Sequence, residues 1–253
     1  MELNKIYNMD CLQGLKLLPD NYIDLTVTSP PYDNLRTYNG YSFDFENIAK
    51  ELFRVTKQGG VVVWVVGDQT INGSESGTSF RQALYFKQIG FNLHDTMIYE
   101  KNSSTYPSHE KSLRYTQIHE FMFVFTKGKP KTVNLIIDKK NKWAGHKDFS
   151  GKLKKPVPEN SPRNNIWKFT TSFNDKTEHP AVFPEQLAND HIISWSNEND
   201  IVMDIFMGSG TTGKMAVLNN RNYIGFEISK EYCEIAEKRI DEVNLNLFNI
   251  ERV

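Results

Sequence analysis

Cysteine is scarce: Cys11 and Cys233 are the whole supply in 253 residues. Two are too few for a disulfide framework, and neither stands in a CxxC or Cys/His spacing that would hold zinc, so no metal site is expected. Long apolar runs are also missing. The longest, such as Val61 to Val66, fall far short of the roughly 18 residues of a membrane span. Met1-Glu2-Leu3-Asn4-Lys5 opens no signal peptide, so a cytoplasmic chain with no membrane partner is the expectation. Glycine (15) and proline (10) sit at ordinary levels, which excludes collagen-like and disordered classes. What remains is a globular composition, 39% hydrophobic and 24% charged, long enough for one large domain or two small ones.

Net charge of one sign is lacking too, at −1, but the total averages two unlike regions. From Lys127 to Asn165 eleven Lys or Arg face three acids, Asp138, Asp148 and Glu159, giving +8; the rest of the chain carries −9. A basic module on an acidic body points to a nucleic-acid partner, the alternative being a solvated lysine-rich loop. Lys139, Lys140, Lys142, Lys152, Lys154 and Lys155 are the candidate phosphate contacts. Trp143, Phe149 and Trp167 lie in or beside the module, where rings can stack on bases or build a small core.

Strand and helix patterns alternate over the first hundred residues, which indicates an α/β sheet covered by helices. Ile23 to Thr28 is a β-rich run ending in Ser-Pro-Pro, and Phe45 to Thr56 has helical spacing through Ile48, Leu52 and Val55. Val61 to Val66 reads as a buried strand, Ser79 to Gln88 as a helix, and Phe91 to Tyr99 and Glu120 to Thr126 as strands. From Gly128 to about Arg163 the pattern dissolves into Lys, Gly, Pro and Asn, apart from a short run at Val133 to Ile137. Regular structure resumes with a helix near Pro184 to Trp195 and a strand at Ile201 to Ile205. A helix at Thr211 to Leu218, a strand at Tyr223 to Glu227 and a last helix from Ser229 to about Val243 follow.

Asp204-Ile205-Phe206-Met207-Gly208-Ser209-Gly210-Thr211-Thr212-Gly213 closes a strand and opens a helix, and Glu227 ends the next strand. Gly208, Gly210 and Gly213 spell GxGxxG, with an acid at the distance that suits a ribose. Glycines admit a ligand close to the backbone, and a strand-end carboxylate accepts hydrogen bonds from two ribose hydroxyls. Asp204 separates the adenosine cofactors: its charge would repel a pyrophosphate and attract an ammonium group. S-adenosylmethionine carries an amino-acid tail and no phosphate.

Thr28-Ser29-Pro30-Pro31-Tyr32 follows a strand directly. Successive prolines fix φ and donate no hydrogen bonds, so their carbonyls are held rigidly and can face a ligand amine. If the Pro30 carbonyl and the Ser29 hydroxyl accept the two hydrogens of a nucleobase amino group, its nitrogen can pyramidalise and aim a lone pair at a methyl sulfonium. Tyr32 can stack on the extruded base. The plainer alternative is a proline turn ending a strand.

Together these segments resemble the amino-group DNA methyltransferases that act on cytosine N4 or adenine N6, in the permuted β-class order with Ser-Pro-Pro-Tyr before the glycine segment. The resemblance implies a Rossmann-like S-adenosylmethionine-dependent fold, a seven-stranded mixed sheet with a small basic recognition insert. It assigns Ser29, Pro30, Pro31 and Tyr32 to the target amine, Asp204 to the cofactor ammonium and Glu227 to the ribose. Asp10 and Cys11, within Asn8-Met9-Asp10-Cys11, and Phe206 fall near the adenine, and Gly208, Gly210, Thr211 and Thr212 form the cofactor wall. His179-Pro180-Ala181-Val182-Phe183-Pro184 resembles the family's lead into the helix before the cofactor strand. Residues 1–101 and 166–253 would be the catalytic and cofactor halves, and 102–165 the target-recognition insert with one or two strands of the sheet. Double-stranded DNA is the implied partner, in a prokaryotic or phage-encoded setting; a homodimer and a cognate restriction endonuclease are further partners the resemblance raises. Ser29 before Pro-Pro-Tyr resembles the cytosine-N4 members, whereas adenine-N6 members more often carry Asp or Asn.

No Pro-Cys pair stands near these segments, so a covalent cysteine intermediate is not expected, and positioning rather than a dedicated base is expected to lower the barrier. Asp68 either faces the target pocket or caps a loop, and Arg36 and Lys101 either touch phosphate or sit on the surface. An NAD-dependent dehydrogenase and an inactive DNA-binding module are the rival readings, with RNA or protein substrates a third.

Overall fold

A computed structural model describes residues 1–31, 43–102, 104, 108–146, 156–170 and 184–250, with side chains as far as 245. The first strand, β1 (Lys5–Asn8), and first helix, α1 (Cys11–Lys16), span four and six residues, too few to show a repeat in the sequence. Next come β2 (Ile23–Thr28), α2 (Phe45–Val55) and β3 (Thr56–Val66). Both strands are buried along nearly their whole length, as β-branched runs are when helices cover both faces of a sheet. Alternate residues serve opposite sides: Val61, Val63 and Val65 join one core with Leu25 and Val27, while Val62, Trp64 and Val66 join the other with Ile23.

A small hairpin, β4 (Thr70–Ile71) with β5 (Ser74–Glu75), leads into α3 (Thr78–Gln88), β6 (Asn92–Lys101) and β7 (His119–Thr126). Then β8 (Lys139–Lys140) pairs antiparallel with β9 (Asn160–Ser161), and β10 (Ile166–Phe169) returns to the sheet. The chain continues through α4 (Glu185–Trp195), β11 (Ile201–Asp204), α5 (Thr211–Leu218), β12 (Asn222–Glu227) and α6 (Lys230–Ile250). Helices α4, α5 and α6 bury Leu187, Ile192, Met215 and Ile240 on one face of the sheet; α1, α2 and α3 bury Leu15, Leu52 and Phe86 on the other. Among the described residues no helix is long and apolar enough to cross a membrane, and no group of three or more metal-ligating side chains gathers.

The sheet is mixed, in the order β1-β12-β11-β2-β3-β7-β6-β10, and only β7 runs antiparallel to its neighbours. It has eight strands where seven were expected. The eighth is β10, which pairs parallel with β6 and buries Trp167 and Phe169 in alternation. Trp167 therefore belongs to the core and cannot stack on a base from the surface. The run Val133 to Ile137 forms no strand: Asn134 N donates to the Ser194 carbonyl, and its side chain reaches the Ser196 carbonyl, so this segment crosses the end of α4 instead.

β2 and β11 lie side by side, yet the chain leaves one toward β3 and the other toward β12. That divergence opens a crevice beyond their carboxyl ends, where open α/β sheets bind ligands.

Candidate active site

Four parallel strands end together at this edge: β1 at Asn8, β12 at Glu227, β11 at Asp204 and β2 at Thr28, with Asn8 opposite Glu227. The segments singled out in the sequence follow these ends, so Asp10, Cys11, Ser29, Pro30, Pro31, Phe206 and Gly208 are brought to one rim. Thr28 and Asp204, 176 residues apart in sequence, touch directly: Thr28 Oγ1 donates to Asp204 Oδ1 at 2.6 Å.

Asp204 is 1% exposed. Its carboxylate also accepts from the Phe206 N–H at 3.0 Å and from Thr212 Oγ1 at 2.8 Å. Burial pushes its pKa up to about 6, against the pull of these donors, and the nearby Glu227 charge adds to the rise. Among the described residues no cation pairs with it. A carboxylate offers about four acceptor positions, so three internal bonds leave one for an incoming donor such as an ammonium.

Glu227 is fixed differently. Its Oε2 accepts from the Gly208 N–H at 2.8 Å and its Oε1 from the Ser229 N–H at 2.9 Å, while partial burial raises its pKa. The glycine turn is shaped by left-handed residues, Gly208 at φ 49° and Gly210 at φ 83°, which L side chains adopt only with strain. A Cβ on Gly210 would stand 2.7 Å from that of Ala236, so this glycine also lets α6 close on the turn. Phe206 is half-buried and meets Phe43 and Trp64 edge-on, with ring centroids 5.7 and 6.4 Å apart.

Asp10 caps α1, its Oδ1 accepting from Gln13 N at 3.0 Å, and Cys11 is buried at the first turn of that helix. Thr211 and Thr212 are buried at the start of α5, and the Thr212 hydroxyl donates to Asp204, with the Val27 carbonyl 3.2 Å away as the weaker alternative acceptor. Pro30 is buried, and Ser29 and Pro31 are half-buried. Asp68 ends in a capping role, accepting from Ser76 Oγ and from the N–H and hydroxyl of Ser79. Lys101 pairs with Glu120. Tyr32, Arg36, Lys147, Phe149, Lys152, Lys154, Lys155 and the segment His179 to Phe183 lie outside the described residues.

The basic region divides in two. Lys127 Nζ donates to Asn21 Oδ1 and to the carbonyls of Phe53 and Thr56 at 2.8–2.9 Å, closing the end of α2, and Arg163 bridges Asp138 to the buried Asp190 of α4. Neither is free for phosphate. Lys139, Lys140 and Lys142 are exposed on the hairpin, with Lys139 Nζ also reaching Asn164, and Trp143 is 61% exposed beside Lys142. The sequence reading did not foresee the contact of Thr28 with Asp204. Its signal was present, a threonine at a strand end directly before Ser-Pro-Pro, but its partner is known only once β2 and β11 are adjacent.

Comparison with known proteins shows the family. The DNA methylase family model matches residues 23–238. The chain is 60% identical over 240 residues to the orphan methyltransferase M.BamHII of Bacillus amyloliquefaciens, covering 87% of this chain and 89% of that protein. Against the type II methyltransferase M.BglII of Bacillus subtilis it is 30% identical, covering 92% and 68%. Among solved structures, the cytosine-N4-specific PvuII DNA methyltransferase superposes with a TM-score of 0.71 at 24% identity, over 92% of this chain and 85% of that one. The M1.HpyAVI–SAM complex gives 0.66 at 26%, over 93% and 98%. The chain belongs to the N6/N4 DNA methylase family, and its fold is that of the family's methyltransferases. A dehydrogenase reading of the GxGxxG turn is thereby set aside.

Proposed function

We propose that this protein methylates the exocyclic amino group of a base in double-stranded DNA, with S-adenosylmethionine as donor and cytosine N4 as the favoured target. The observation that carries the reading is the direct contact of Thr28 and Asp204, which sets the Ser-Pro-Pro segment beside the glycine turn at one crevice. The donor set suits the cofactor: a buried carboxylate that no cation pairs with among the described residues for the ammonium, a second carboxylate on the neighbouring strand for the ribose, and Phe206 for the adenine. When bound, S-adenosylmethionine supplies an electrophilic methyl group on sulfur.

The protein's own part is positional. The Ser29 hydroxyl and Pro30 carbonyl accept the two amine hydrogens, which localises the nitrogen lone pair and turns it toward the methyl. Holding the two reactants in line saves the entropy of bringing them together. Tyr32 stacks on the flipped base, and the proton leaves to water afterwards. The relatives include an Escherichia coli protein named as a DNA adenine methyltransferase, 26% identical, which keeps adenine N6 as the second reading. Lys139, Lys140 and Lys142, with Lys152, Lys154 and Lys155, hold phosphates while other side chains of residues 102–165 read base edges. The test is digestion of methylated DNA to nucleosides with mass identification: N4-methylcytosine is expected, N6-methyladenine would move the target, and an unmodified product pool would end the reading.

A further inference from the structure

Asp204 is held by hydroxyls from two different elements. Thr28, wholly buried, ends β2, the strand that presents Ser29 and Pro30, and Thr212, also wholly buried, opens the helix after the glycine turn. Thr212 Oγ1 lies 2.8 Å from Asp204 Oδ2 and 3.2 Å from the Val27 carbonyl, so it spans both strands. The geometry points to Thr28 and Thr212 as positioning residues that keep Asp204 a carboxylate oriented for the cofactor ammonium, tying cofactor capture to the strand that holds the target amine. This rests on the proposed reading of Asp204 as the ammonium partner.

The physical need is clear from the surroundings. A carboxylate this deeply buried resists ionisation, and an un-ionised one attracts an ammonium weakly. Glu227 on β12 works in the same unfavourable direction. Charged groups on the packed elements are engaged elsewhere: Lys214 of α5 with Glu185, Asp190 of α4 with Arg163, and Asp24, at the far end of β2, with Lys57. The stabilisation of the charged form within the protein is left to the two hydroxyls and the Phe206 N–H. Each hydrogen bond to a charged group is worth about tenfold in the ionisation equilibrium.

The test is the pH dependence of S-adenosylmethionine binding, read by calorimetry on the full chain. Affinity of the wild type should fall as Asp204 is protonated on the acid side. Thr28→Val and Thr212→Val should each move that midpoint up by about one pH unit, while Thr28→Ser, which keeps the hydroxyl, should restore it. Binding of 5′-methylthioadenosine, which has no ammonium, should be the same in all four proteins. An unmoved midpoint in both valine variants, a serine variant that behaves like valine, or an equal loss of 5′-methylthioadenosine would overturn the inference. Asp204→Asn separates the two levels. If it binds S-adenosylmethionine as the wild type does, the ammonium reading itself falls; if it alone abolishes the acid limb, only the role of the threonines falls.

Discussion

The crevice edge and the basic insert use polar side chains in opposite ways. At the edge, Asp204, Thr28 and Thr212 are buried and bonded to one another, so their positions follow from the sheet register. In the insert, Lys139, Lys140 and Lys142 stand in solvent on a hairpin, whereas Lys127 and Arg163 are bound into the body. On the proposed reading, chemistry that needs fixed geometry sits where packing supplies it, and contacts suited to a polyanion sit where side chains can adjust.

The largest effect that would sharpen this contrast is the ionisation of Asp204. Its folded pKa of about 6 lies above the ordinary 3.8, so the group favours folding while protonated, a contribution present below about pH 4 and lost as pH rises through about 6. Two units at ~1.4 kcal/mol each come to about 3 kcal/mol. In urea unfolding without cofactor, wild type should lose about that much relative to Asp204→Asn between roughly pH 4 and pH 8; parallel pH profiles would place Asp204 in contact with water. Next is Arg163→Ala, which leaves the buried Asp190 unpaired and should cost about 2 kcal/mol in thermal unfolding, discounted from the fully buried case because the arginine is partly exposed. Lys127→Ala, which uncaps α2, should cost about 1 kcal/mol and leave the salt dependence of DNA binding unchanged. Smallest in stability is the triple change of Lys139, Lys140 and Lys142 to alanine, within about 0.5 kcal/mol. Its signature is a salt-dependence slope for DNA binding lower by about 2 to 3. Destabilisation without a change in slope would place these lysines with the anchors.

The edge was legible in the sequence because its motifs are local: a β-rich run before Ser-Pro-Pro, and a strand, glycine turn and helix ending in a second acid. The helix α2 follows from the apolar spacing of Ile48, Leu52 and Val55 for the same reason. What escaped depends on distant partners. Thr28 meets a partner 176 positions away, and Arg163 one 27 away, so a count of charges includes Lys127 and Arg163 in the basic balance although both are bound into the body. β10 was hidden because its four residues follow a lysine- and asparagine-rich stretch and gain strand character by adding to the open edge of β6.

The path of the insert carries one more implication. Asn134 is fastened near the end of α4 at Ser194 and Ser196, and Arg163 returns to the same helix at Asp190. Both clasps grip one helix, so the hairpin of β8 and β9 is anchored to the body of the fold at a single place. On the proposed reading, changes confined to that hairpin would alter DNA contacts while leaving the register of β2 and β11 as it is.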